Sequence, residues 1–137
     1  MHRNVANTVP ANDTETSTVL QYAINNLGVK DIVISGHTYC GGINAVLSGY
    51  DRLDRELKRW LAPVNEIYLK NKQTIDLISD PLAKSRKLAE LNVLSVAKIV
   101  SELHPVLEAR SRDIPINIHT LLYELDKGTF FNLNTSF

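Results

Sequence analysis

The sequence predicts an α/β fold, a mainly parallel sheet flanked by helices, on three observations. A capped, amphipathic stretch runs over 11–28, a compact apolar run follows directly at 31–35, and a glycine-rich turn then leads into a second helix. Strand, glycine turn and helix in that succession are the punctuation of α/β architecture.

Each element has a local reason. Asp13 or Thr14 is placed to cap the first helix, because either side chain can accept from the free amides of a first turn. Val19, Leu20, Ala23, Ile24 and Leu27 recur at three- and four-residue steps, and Gly28 supplies a left-handed stop. Asp31-Ile32-Val33-Ile34-Ser35 lacks regular alternation, the pattern of a parallel strand covered on both faces, with Asp31 itself facing solvent. Residues 36–42 read as the turn and 43–47 as a short helix. The stretch 51–103 reads as helical throughout, divided by Pro63 and Pro81, each acceptable in a first turn and disruptive in an interior. Its last helix carries Leu88, Leu91, Val96, Ile99, Val100 and Leu103 on overlapping core stripes, and His104-Pro105 ends it. Ile114, Ile116 and Ile118 alternate with polar neighbours, 121–125 continues extended, and Asp126-Lys127-Gly128 turns the chain so that 129–133 returns as an antiparallel edge strand. No repeat, low-complexity tract or linker interrupts 1–137, which reads as a single domain.

Composition narrows the partners. Apolar residues make up 44% of the 137, enough for a real core. Fifteen basic residues offset fifteen acidic ones, which removes the electrostatic case for nucleic acid or an anionic membrane. Lys58 and Arg59 adjoin Glu56 and read as a solvated helix face. Cys40 is the one cysteine, so no disulfide forms within the chain, and no apolar run approaches the ~18 residues of a membrane span. The polar start at 1–13 has no signal-peptide centre, and a cytoplasmic location is expected.

Chemistry concentrates in Ser35-Gly36-His37-Thr38-Tyr39-Cys40-Gly41-Gly42, where a strand gives way to a helix, the usual place for a site in an open parallel sheet. The two-residue gap lets the imidazole of His37 and the thiolate of Cys40 reach one metal ion, and both are good zinc ligands. A helix N-terminus at Cys40 favours the thiolate, while Gly41 and Gly42 leave room for a small anion at the backbone. The bland alternative stands beside this: free cysteine is often simply buried, and two ligands fall short of the three that a catalytic zinc site takes from protein. A thiol acting alone is a third reading. His2 reads as a surface residue, His104 as a helix-end residue and His119 as a half-buried strand residue, so none completes the set.

The segment from Ile32 to Gly42 resembles the signature of the β-class carbonic anhydrases, a strand followed by Gly-His-x-x-Cys-Gly-Gly. Arg3-Asn4-Val5-Ala6-Asn7 resembles that family's Arg-Asn-Ala-Gly-Asn strand, with Val5 and Ala6 as departures. Ser17 to Ile24, Leu27-Gly28-Val29, Glu90-Leu91-Asn92-Val93 and the stretch from Ile118-His119 to Gly128 look like its later elements in order, with His119-Thr120-Leu121 where His-Gly-Trp is usual.

The resemblance implies a zinc enzyme that hydrates carbon dioxide reversibly to bicarbonate and a proton. It implies His37 and Cys40 as metal ligands, Asn4, Asn7, Gly41 and Gly42 bordering the substrate cleft, and a homodimer or higher oligomer. It also implies a gap: the family's remaining cysteine ligand, and the aspartate–arginine dyad that manages the zinc-held solvent, come from a Cys-x-Asp-x-Arg strand that this sequence does not contain. No catalytic dyad residue can therefore be assigned, the zinc ligand set is incomplete, and a central N-terminal strand beside 31–35 is expected to be missing. A portion of a longer enzyme and a shortened, catalytically inactive subunit or interaction protein both fit. The intact half-site favours the first.

Overall fold

A computed structural model describes residues 1–10 and 13–137. Helix α1 (Thr14–Asn25) begins where an acceptor meets free amides: the Asp13 carboxylate accepts from Glu15 N at 3.0 Å and Thr16 N at 3.3 Å. The expected start at Ala11 lies outside the described residues. Leu20 and Ile24 are buried, whereas Val19 and Leu27 are exposed, so the apolar stripe is narrower than its spacing suggests.

Strand β1 (Asp31–His37) pairs in parallel with β2 (Asn117–Glu124), Asp31 opposite Asn117 and His37 opposite Tyr123. Strand β2 pairs antiparallel with β3 (Thr129–Asn132), as the Asp126-Lys127-Gly128 turn predicts. The sheet order is β1-β2-β3, one parallel and one antiparallel pair, so β1 has a strand partner on one side only among the described residues. Two expectations change here. Gly36 and His37 belong to the strand rather than to the turn. Cover also falls on one face: Ile34 and Ile118 are buried beneath helix α5, whereas Val33, on the opposite face, is 53% exposed.

Between the strands lie α2 (Gly41–Gly49), α3 (Arg55–Lys70), α4 (Lys72–Asp76), α5 (Pro81–Glu102) and α6 (His104–Ser111). Pro81 opens α5, with Asp80 as its cap. Pro63 does not divide the helical stretch; it sits inside α3, where flanking Leu61 and Val64 are fully buried and hold the helix together despite the lost amide. His104-Pro105 begins α6 rather than ending the helical region, because proline suits a first turn as well as it blocks an interior. The segment read as an Arg-Asn strand is instead a single 3-10 turn, Val5–Asn7, with Ala6 and Asn7 at φ of 60° and 47°. Among the described residues no helix is long and apolar enough to cross a membrane.

Helix α5 belongs to both halves of the core. Val93, Val96, Ala97 and Val100 pack with α1, α6, Ile34 and Ile118, while Leu88 and Ala89 pack with Cys40, Ile43, Leu61, Val64 and Leu122. Burying each of the larger side chains contributes about 1.5–3 kcal/mol. The helix approaches β1 closely because Gly36 has no side chain; a Cβ there would stand 2.7 Å from Val93 Cγ2. At the far end of β2, Arg86 of α5 bonds the buried Glu124, donates to Glu90 at 2.9 Å and lies over the Phe131 ring, while Lys127 reaches Glu124 at 3.0 Å.

Two outcomes test this arrangement. Gly36→Ala is expected to cost about 1–3 kcal/mol by overpacking, and Val93→Ala in that background to recover part of the loss, read as non-additive urea midpoints. The Arg86 guanidinium, and then Lys127, hold the Glu124 carboxyl below its ordinary range. A lowered folded-state pKa gives stability that is full above the unfolded value, near ~4.3, and that fades as pH falls through the folded value. Glu124→Gln is therefore expected to be destabilised at pH 7, with its deficit against the wild type shrinking in urea melts below about pH 4.

Candidate metal centre

Strand β1 delivers His37 at its last position, Thr38 and Tyr39 turn the chain, and Cys40 caps α2 in an extended conformation. Thr38 fastens the turn to the end of β2 and the residue beyond it: Thr38 N donates to Tyr123 O at 2.9 Å, and Leu125 N donates to Thr38 Oγ1 at 3.0 Å. Tyr39 takes φ of 57°, a left-handed step for a non-glycine residue that the surrounding bonds hold in place.

His37 Nδ1 lies 2.8 Å from Thr38 O. A carbonyl only accepts, so that bond needs the proton on Nδ1 and leaves the Nε2 lone pair free, the tautomer that ligates a metal through Nε2. Cys40 is 7% exposed, and both residues line one cavity of about 1090 Å³ bounded by α1, β1, α5 and the N-terminal segment. The imidazole and the thiol thus share a space with access to solvent. Among the described residues no group of three histidine, cysteine, aspartate or glutamate side chains could hold a metal ion.

The four cleft residues differ in what surrounds them. Asn4 closes the N-terminal turn on itself, its Nδ2 donating to Thr8 O at 2.7 Å and its Oδ1 accepting from Thr8 N at 2.9 Å. Asn7 lines the cavity, and its Nδ2 is buried without a partner. At Gly41 an added Cβ meets nothing within 4 Å, so the approach is open. At Gly42 it would stand 2.8 Å from Ala6 Cβ and 3.3 Å from Val5 Cγ1; that space is filled by the N-terminal turn and is not free for an anion.

The other histidines stay apart from Cys40 and His37. His119 Nε2 bonds the exposed Asp31 carboxylate at 2.8 Å, a bond that, with Asn117, holds that carboxyl below its usual range. His104 faces Glu108 within α6 at 3.8 Å. His2 is three-quarters buried near Glu15 and Thr16, less of a surface residue than its place in the chain suggests.

Sequence reasoning missed a role for Asn92. It is 3% exposed on α5, and its Nδ2 donates to Ala6 O at 2.7 Å and Asn7 O at 3.1 Å. Trp60 Nε1 adds a bond to Val5 O at 2.9 Å. The left-handed turn that fills the space beside Gly42 is therefore anchored from α3 and α5. An asparagine among Leu91, Val93 and Val96 on a helix otherwise apolar at that face was the available signal.

A family model described as carbonic anhydrase matches residues 1–130. The chain belongs to the β-class carbonic anhydrase family. It is 40% identical to a carbonic anhydrase of Candida albicans over 129 residues, 93% of this chain and 45% of the relative, and 33% identical to one of Emericella nidulans over all of this chain and 59% of that relative. It thus spans about half the length of these curated relatives. A tetrameric β-carbonic anhydrase of Sordaria macrospora overlays with a TM-score of 0.91 at 31% identity, covering 99% of this chain and 68% of that one. The Coccomyxa β-carbonic anhydrase in complex with acetazolamide also overlays at 0.91, with 27% identity, over 99% and 61% of the two chains.

Asn92→Ala leaves two buried carbonyls short of a donor, at an expected cost of about 1–3 kcal/mol. Loosening of the turn over Gly42 is then read independently as faster alkylation of Cys40 in the native protein. An unchanged alkylation rate contradicts the anchoring role.

Proposed function

We infer that this chain carries half of a zinc centre for the reversible hydration of carbon dioxide, with bicarbonate and a proton as products. The observation that supports it most directly is the shared cavity of His37 and Cys40, with the histidine held in the tautomer that presents Nε2. In kind these donors suit zinc, an imidazole nitrogen and a sulfur; in number they are two of the three that a catalytic site takes from protein. Bound zinc supplies Lewis acidity strong enough to ionise water near neutral pH.

The chain's own residues do the rest. Thr38 O orients the imidazole, and Cys40 stands at the N-cap of α2, lining the same cavity. Leu20, Ile34 and Ile43 line the cavity with hydrocarbon, a surface suited to an uncharged gas, while Asn7 Nδ2 offers a donor to an oxygen of bicarbonate. The Sordaria relative is tetrameric, and association through the uncovered sheet face, where Val33 and Phe130 are 53% and 61% exposed, belongs to the same proposal.

A second reading, a non-catalytic subunit of the same family, is favoured by the lack of a three-residue ligand group among the described residues. Cobalt titration separates the two. His37→Ala and Cys40→Ser are each expected to weaken metal binding more than about tenfold, the floor set by loss of an outer partner alone, and Cys40→Ser to abolish the thiolate-to-cobalt absorption. Hydration of carbon dioxide above buffer, followed by stopped flow and lost in both variants, supports the enzyme. Metal bound through both residues without hydration supports the subunit, and binding that neither substitution weakens removes the metal centre.

A further inference from the structure

Two peptide groups, one on either side of Glu124, hold a single residue of the metal-site turn. Thr38 N donates to Tyr123 O at 2.9 Å, and Leu125 N donates to Thr38 Oγ1 at 3.0 Å. The ladder between β1 and β2 has its last pair at His37 and Tyr123, so Thr38 lies beyond it. It is gripped there at two points, once through its backbone and once through its hydroxyl. Glu124, between those points, is itself fixed from several directions. Its buried carboxylate accepts from Arg86 of α5 and, at 3.0 Å, from Lys127, while its carbonyl accepts from Gly128 N at 2.8 Å. Arg86 is steadied in turn by Glu90 at 2.9 Å and by the Phe131 ring, whose centre lies 4.9 Å from the guanidinium carbon.

We propose that Arg86 and Glu124 are positioning residues for His37, acting through the hydroxyl of Thr38. The link is the peptide between Thr38 and Tyr39. Its carbonyl is the one that His37 Nδ1 reaches at 2.8 Å, and its other end enters Tyr39 at φ of 57°. A left-handed step costs free energy for a residue with a Cβ and persists only where its neighbours over-determine it. Releasing the Thr38 hydroxyl lets that peptide rotate towards an ordinary φ, and the carbonyl leaves Nδ1 as it does so. The imidazole then loses the bond that keeps its proton on Nδ1 and the lone pair on Nε2. His37 is an exposed side chain, so its ring depends on that bond more than on packing. A purpose for this clamp rests on the metal-centre reading, whereas the state of the ring is read without any metal. A merely structural clamp would lower stability when cut and leave the proton of the ring where it is.

The test reads the ring nitrogens of His37 by nitrogen NMR in the whole chain, in EDTA at about pH 8.5, above the ordinary imidazole range. His37→Ala assigns its signals among the four histidines. The wild type is expected to carry the proton on Nδ1. Thr38→Val keeps the shape of the side chain and removes the acceptor, and is expected to move the signals towards the Nε2-protonated form. Thr38→Ser keeps a hydroxyl and is expected to keep the wild-type pattern. Arg86→Met is expected to move the signals in the same direction as Thr38→Val, and Arg86→Lys to move them less. Cobalt affinity is expected to fall about tenfold or more in Thr38→Val, the loss typical when the outer partner of a ligating histidine goes, and more than about twofold in Arg86→Met. If Arg86→Met does not fold, Glu124→Gln takes its place. Signals that stay as in the wild type in either Thr38→Val or the clamp variant, however much stability is lost, overturn the proposal. So does a moved proton with unchanged cobalt affinity, where His37→Ala lowers that affinity. Should cobalt binding ignore His37→Ala while the proton moves as expected, the zinc reading is removed and the clamp stands. An unmoved proton alongside cobalt binding lost in His37→Ala does the reverse.

Discussion

The approach of α5 to β1 at Gly36 is the constraint on which the rest of the molecule depends. With no side chain between Gly36 and Val93, the helix lies low enough on the sheet for one face of it to seal Ile34 and Ile118 while the preceding turn of the same helix seals Ile43 and Leu122. Two clusters thereby share one support. Raising α5 by the width of a methyl group strains both together, because close-packed interiors do not yield gradually. The same placement puts Asn92 within reach of the N-terminal turn, so the geometry of the candidate site is inherited from a packing contact on the far side of the strand.

That turn shows why a buried polar residue belongs in this core. Ala6 and Asn7 hold left-handed backbone angles that cost free energy for residues with a Cβ, and the turn buries carbonyls that need donors. Asn92 satisfies two of them at once, Trp60 a third, and Asn4 closes the loop through Thr8. The turn then fills the space above Gly42 and fixes the start of α2 behind Cys40. An apolar residue at position 92 would pack as well, but it would leave those carbonyls unpaired; specificity of backbone geometry, rather than burial, is what the amide supplies.

Much of the fold was legible in the sequence because the signals were local. Asp13 caps α1, Pro81 opens α5, and the Asp126-Lys127-Gly128 turn returns β3 antiparallel, all from chemistry within a few residues. What was not legible depends on contacts distant in sequence. Pro63 looks like a divider until Leu61 and Val64 are seen fully buried on either side of it, and Pro105 looks like a terminator until it is seen starting α6. The run Ile32-Val33-Ile34 reads as doubly covered, yet only α5 lies on the sheet and Val33 stays exposed. At the site the split is the same. Spacing at a strand end singled out His37 and Cys40 as candidates, and the structure lines one cavity with both. The partner that fixes the His37 tautomer is a neighbouring backbone carbonyl without side-chain identity, and the role of Gly42 depends on Ala6, far upstream in the chain.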